Sequence, residues 1–206
     1  MGDAALLAAL GRARDRGFLG PGDPARHLDH ARGFVEVAGT ALGGPARRVA
    51  DLGSGGGVPG LVLAASWSEA EVVLVESSVR RAEALRAEVH ELGLGRVEIL
   101  EGRAEELAHD PAYRGRFDLV TARSFGPPPV TAEIGAGFTA VDGILVVSEP
   151  PAPTERWPAE PLHRLGFDPP AFAEAAGAHF VCLRKRWVTP PDRPRRRGRP
   201  AKRTLW

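Results

Sequence analysis

Short apolar runs alternate with longer stretches of helical spacing through most of the chain. Residues 4–18 place Ala and Leu for one apolar face, which predicts a helix, and Gly20-Pro21-Gly22-Asp23-Pro24 breaks it. A second helix is expected over residues 25–42, stopped by Gly43-Gly44-Pro45. Strands follow at residues 48–52, 71–76, 97–100, 117–122 and 143–148. Helices are predicted over 58–67 and 78–92, the latter with Ser77 or Ser78 as N-cap and Gly93 as its stop. This β-α-β repetition predicts an α/β fold: a doubly wound, Rossmann-like and mostly parallel sheet with helices on both faces. The run His179–Arg184 reads as a late strand at an antiparallel edge. Residues 150–161 are Pro-rich and read as a loop or lid. Residues 189–203, with Pro and Arg but no apolar period, are expected to be disordered in isolation. The chain thus divides into a helical segment (1–45), a nucleotide-binding domain (46–188) and a basic tail (189–206).

Charge sharpens this picture. Residues 184–206 hold ten Lys or Arg and one acid, Asp192, for a net +9. The other 183 residues hold 17 basic and 25 acidic side chains, for a net −8. An acidic body with a basic end suggests a polyanionic partner. Cys182 is the only cysteine, which excludes an intramolecular disulfide framework and a multi-cysteine zinc site; its apolar run reads as buried. His27 and His30 are neighbours on one helix with no evident third ligand, so no metal site is expected. No apolar run is long enough to cross a bilayer. Met1–Leu10 is apolar but carries Asp3 and lacks a basic leader, and a cytoplasmic location is expected.

The chemistry-bearing pattern lies after the first strand, at Asp51-Leu52-Gly53-Ser54-Gly55-Gly56-Gly57. Gly53, Gly55 and Gly57 remove side chains where backbone must turn and approach a ligand, and the next helix offers free N–H groups. Gly55 to Gly60 also fits the dinucleotide pattern G-x-G-x-x-G. Two features favour S-adenosylmethionine over a dinucleotide: the acid Asp51 stands at the strand end before the glycines, and no hydride-transfer group is evident. On this reading Asp51, Gly53, Ser54, Gly55 and Gly57 hold the methionine half. Glu76, closing the second strand with Ser77 after it, takes both ribose hydroxyls, because a carboxylate offers two acceptor oxygens. Ala104 and Glu105, after the third strand, read the adenine edge. The fold expected is that of a class I methyltransferase, with S-adenosylhomocysteine as product.

The stretch Val49 to Ala64, with Pro59-Gly60 at the helix start, resembles the first motif of the RsmG (GidB) family. So do Val73–Ser77, Arg80–Arg86, Glu91–Leu94, Gly102–Glu106 and Phe117–Phe125, and Pro194–Lys202 resembles the basic end of many members. The resemblance implies methylation of N7 of a guanine in small-subunit ribosomal RNA, with that RNA or the small ribosomal subunit as partner. Where the family usually has Lys-Gly after the fifth strand, this chain has Ser148-Glu149-Pro150, and the family's His-x-x-Asp-Ser is matched at best by His27-Leu28-Asp29-His30. A methyltransferase acting on a small molecule, or a non-catalytic RNA-binding relative, are the alternatives.

Guanine N7 carries a lone pair and no proton at neutral pH, so alignment can suffice without a general base. Arg123, closing the fourth strand, is the candidate for positioning substrate and for touching the cofactor, its fork suiting guanine O6 or a phosphate. Ser124 and Phe125 follow, the ring either stacking on a base or packing in the core. Pro127-Pro128-Pro129 reads as a rigid turn. Arg195, Arg196, Arg197, Arg199 and Lys202 are the candidate phosphate contacts of the tail.

Overall fold

The computed structural model describes residues 2–151, 154–196 and 198–206. A seven-stranded sheet runs through the molecule in the order β3-β2-β1-β4-β5-β7-β6. Its strands are β1 (Arg48–Leu52), β2 (Glu71–Glu76), β3 (Val97–Glu101), β4 (Phe117–Ala122), β5 (Thr139–Glu149), β6 (Ala171–Ala175) and β7 (Ala178–Arg184). The first five pair in parallel, while β7 is antiparallel to both β5 and β6. The helices are α1 (Asp3–Asp15), α2 (Pro24–Leu42), α3 (Gly60–Ser66), α4 (Val79–Glu91), α5 (Ala104–Leu107), α6 (Pro128–Phe138), α7 (Ala159–Arg164) and α8 (Arg199–Lys202).

Strand alternation sorts the core into two layers. Val49, Leu119, Ile144 and Val146 point to the side covered by α2 and α3, where Phe34, Leu61 and Leu63 are fully buried. Ala50, Val120, Leu145 and Val147 point to the opposite side, packed by Ile134 and Phe138 of α6 and by Trp157 and Phe167. Asp51 shares the first face. The register pairs it with Thr121 of β4 and Leu74 of β2, so its carboxylate is turned toward the start of α3.

Several expectations need correction. The run 179–184 is β7, in the antiparallel edge as expected, but the outermost strand is β6, a five-residue segment that the sequence reading did not mark. Pro127-Pro128-Pro129 is more than a turn: Pro127 is the N-cap of α6, and Pro128 and Pro129 fill its first turn, where no N–H partner is needed. The segment taken for a lid holds a 3-10 turn at Thr154–Arg156 and the buried ring of Trp157, which anchors it to the core; Ala152 and Pro153 lie outside the described residues.

The described residues of the tail pack against the body. Thr189, Pro194 and Pro200 are buried, and Arg114 on the body donates to the carbonyls of Thr189, Pro190 and Arg193. Lys185 is 1% exposed and donates to the carbonyls of Ala136 and Leu165 and to the Thr189 hydroxyl.

Candidate functional site

At the C-terminal end of the parallel strands a cleft of about 310 Å³ opens, within the size range of ligand sites. Gly53 after β1, Glu76 and Ser77 after β2, Ala104 and Glu105 after β3, and Ser124 and Phe125 after β4 all line it. Seven of the residues picked from sequence therefore meet at one place.

Glu76 is the best-placed acid. Its Oε2 accepts from Gly55 N–H at 2.9 Å and its Oε1 from Ser78 N–H at 2.8 Å. Each carboxylate oxygen keeps a lone pair for a further donor, as two sugar hydroxyls would require. The glycine turn is shaped by this contact. Gly53 has φ +66°, and a Cβ there would lie 2.7 Å from the Phe125 ring, so only glycine lets that ring close over the turn.

Asp51, Ser54, Gly55 and Gly57 sit behind the cleft rather than in its lining. Asp51 is 1% exposed; one carboxylate oxygen accepts from Thr121 Oγ1 at 2.8 Å and the other from Gly60 N–H at 3.2 Å. Burial pushes its carboxyl up to about 6, against the lowering effect of these hydrogen bonds and of the Arg123 charge. Ser54 gives its hydroxyl to the Asp51 carbonyl at 2.9 Å. Close approach at Gly60 is what the Pro59-Gly60 pair provides: a Cβ there would lie 2.2 Å from Leu74 and 2.8 Å from Asp51 Oδ2.

Arg123 is held from the N-terminal segment. Its Nη2 donates to His27 Nδ1 at 2.7 Å, and His27 Nε2 lies 3.1 Å from the Gly20 carbonyl. The guanidinium can only donate and the carbonyl can only accept, so His27 is neutral with its proton on Nε2. Burial lowers the proton affinity of both His27 and His30, the latter to about 4, and the charge of Arg123 adds to the effect. Arg123 Nη1 is buried and has no hydrogen-bond partner among the described residues. Arg123 itself is not among the residues that line the cleft, although Ser124 and Phe125, which follow it, are. His27 was not singled out as Arg123's partner, because the contact joins residues 96 positions apart.

The adenine-side acid has other work. Glu105 is buried, and its Oε1 accepts from Arg103 Nε and Nη2 at 3.2 and 3.0 Å and from Gly198 N–H at 3.2 Å. Burial raises its pKa and these hydrogen bonds outweigh it, leaving the group below its usual value and ionised. Sequence reasoning also missed Arg81, Arg103, Val130 and Ile134, and Gly198, Pro200 and Ala201 of the tail, as lining residues. Nothing local in the tail signals that contact.

The family's usual Lys-Gly position is equally informative. Glu149 does not present a bare negative charge: Arg156 pairs with it at 2.9 Å, and the Glu149 side chain is only 9% exposed. Among the tail residues, Arg195 makes a two-pronged pair with the fully buried Glu133, at 2.8 and 2.6 Å, and is unavailable as an open phosphate contact. Arg196, Arg199 and Lys202 are exposed; Arg197 lies outside the described residues.

The family model described as GidB, rRNA small subunit methyltransferase G, matches residues 30–149. The chain belongs to this family. A ribosomal RNA small subunit methyltransferase G of Rubrobacter xylanophilus is 34% identical over 98% of the chain and 81% of the relative. Another, from Desulfitobacterium hafniense, is 34% identical over 77% and 70%. Among solved structures, cofactor-bound Rv0187 from MTB superposes with a TM-score of 0.62 at 20% identity, covering 90% of this chain and 92% of that one. TomG from Streptomyces achromogenes, an O-methyltransferase in complex with SAM, gives 0.60 at 19%, covering 91% and 92%. At such identities the superpositions speak for the fold of this family member: the class I methyltransferase sheet.

Proposed function

We propose that the protein transfers a methyl group from S-adenosylmethionine to N7 of a guanine in small-subunit ribosomal RNA. Family membership supports the reaction class and the RNA. The observation that carries the cofactor reading is the Glu76 carboxylate, which closes β2 at the cleft wall with its backbone partners on one side and free lone pairs on the other. When bound, the cofactor would supply an electrophilic methyl on a sulfonium for the guanine N7 lone pair, with S-adenosylhomocysteine as leaving group and no proton to move. The chain's own task is therefore alignment. Arg123, held by His27 and close to Asp51, is the residue we assign to positioning through its unpartnered Nη1, while Ser124 and Phe125, which line the cleft, would border the reacting base. Asp51 acts from beneath, as an electrostatic and backbone brace for Arg123 and Gly60. Each of its oxygens accepts one hydrogen bond and keeps a lone pair, through which Asp51 would meet the cofactor's ammonium directly or through water.

Such a substrate places the enzyme in the cytoplasm. No described helix is long and apolar enough to cross a membrane, and no described cluster of three His, Cys, Asp or Glu is set to hold a metal.

The test is transfer of label from radiolabelled cofactor to small ribosomal subunits and to stripped RNA, with nucleoside mass spectrometry to find 7-methylguanosine. Transfer to neither substrate would refute the reading. Transfer that yields another methylated nucleoside would refute the N7 assignment alone.

A further inference from the structure

We propose that the C-terminal segment Gly198–Ala201 is the outer wall of the adenosine end of the cofactor cleft, so the tail is part of the binding site. The inference rests on the cofactor reading above. Gly198, Pro200 and Ala201 line the same cleft as Glu76 and Ala104, although they lie more than 90 residues further along the chain.

The wall is built, and it is latched to the pocket. Gly198 N–H donates to the buried Glu105, the acid that the sequence pattern would assign to the adenine edge. Upstream, Arg195 gives both its backbone N–H, at 2.8 Å, and its guanidinium to Glu133 of α6, which is 0% exposed. Pro194 seats against Gly137, where a Cβ would lie 2.8 Å from the proline ring, and its carbonyl accepts from His109 at 2.7 Å. Downstream, Trp206 Nε1 donates to the Arg156 carbonyl at 3.0 Å. Gly198, Pro200 and Ala201 thus lie between anchored residues on both sides.

Its chemistry suits a flat heteroaromatic ring. Pro200 and Ala201 present small apolar surfaces, and Val130 and Ile134 of α6 line the same cleft, giving the cavity apolar walls for a purine. Ala201 is exposed in this structure and open to the cleft, so a bound nucleoside would cover it.

Two measurements on the protein test the proposal, both with S-adenosylhomocysteine as probe. In full-length Ala201→Cys, the new thiol should be alkylated by iodoacetamide about tenfold more slowly at saturating probe, since a seated ligand loses most of its surface to its pocket. Cys182 gives little background because burial pushes its thiol up to about 11. In a chain ending at Arg196, which keeps the Arg195–Glu133 pair, calorimetric affinity should fall about tenfold while the thermal transition stays cooperative. An unprotected thiol in a variant that binds the probe normally overturns the wall, as does a truncated chain that binds within about twofold of the parent. If the parent protein does not bind the probe at all, the cofactor reading itself fails, and the wall with it.

Discussion

Two carboxylates close neighbouring strands and meet opposite fates. Glu76 lines the cleft, whereas Asp51, bonded to Thr121 and Gly60, lies outside its lining. Replacing Glu76 with Ala should weaken binding of S-adenosylhomocysteine by about 1–3 kcal/mol, the cost of losing hydrogen bonds to a charged acceptor, as read by calorimetry. Unchanged affinity would displace the ribose from Glu76. A second residue-scale prediction concerns His30, whose Nδ1 is buried without a partner among the described residues and whose ring packs edge-on against Phe34 at 5.6 Å and near Phe180. Its folded-state proton affinity is depressed to about 4 from an ordinary 6.5, by burial first and then by Arg123 and His27. Between these values the unfolded chain binds the extra proton, so this term of stability is present above pH 6.5 and is lost as pH falls toward 4. Asp51, raised from 3.8 to about 6, has the opposite sign over much of the same window and hides part of the slope. The comparison must therefore be differential: His30→Phe should gain on the parent in urea midpoint as pH drops from 6.5 to 4. A gap independent of pH would show that His30 does not titrate there.

At the scale of elements, α6 carries a burden the sequence conceals. Its Glu133 is fully buried in a helix that otherwise reads as apolar, and its charge is met by Arg195 from the tail. Breaking the pair from the two sides should cost different amounts. Arg195→Ala strands a buried carboxylate and should cost toward the low end of about 3–5 kcal/mol, because the backbone N–H of residue 195 still donates. Glu133→Ala should cost less, since Arg195 keeps a 17% exposed side chain that can turn to water. Chemical denaturation of the two variants measures the asymmetry, and equal losses would refute it.

This pair also shows where the sequence stops being legible. The strands from Arg48 to Glu149 were readable because each buries apolar residues at short range, and Asp51, Gly53 and Glu76 were readable because strand ends point at the cleft in this topology. The helix behind Pro127 was obscured by prolines that break helices everywhere but the first turn. The short edge strand β6 carries little apolar signal. The order of the described tail residues depends on partners such as Glu133, Glu105 and Arg114, 62 to 93 residues away, and a local run of Pro and Arg says nothing of them.

For the whole molecule, those partners redraw the basic end. Of its ten cations, Lys185 is buried against carbonyls, Arg186 pairs with Asp168 at 2.7 Å, Arg193 with Asp192 at 2.6 Å, and Arg195 with Glu133. Arg184 is held by the carbonyls of Asp142 and Ala41. Arg196, Arg199, Lys202 and Arg203 are exposed and form no ion pair among the described residues. Among the described residues of the tail they are the cations left to meet RNA phosphates, and they are close in sequence to Pro200 and Ala201 of the cleft lining. Removing the whole tail is therefore a poor test of RNA binding, because it also strands Glu133 and opens the cleft. Changing these four side chains to Gln leaves the Arg195 anchor, Gly198 and Pro200 in place. Each phosphate contact contributes about 0.7–0.9 to the slope of log K against log salt, so if all four engage, the slope for ribosomal RNA should flatten by about 3. Filter binding across a salt series gives that number. Weaker binding with an unchanged slope would mean that the loss is not electrostatic, and an unchanged affinity would move the RNA surface to another face of the acidic body.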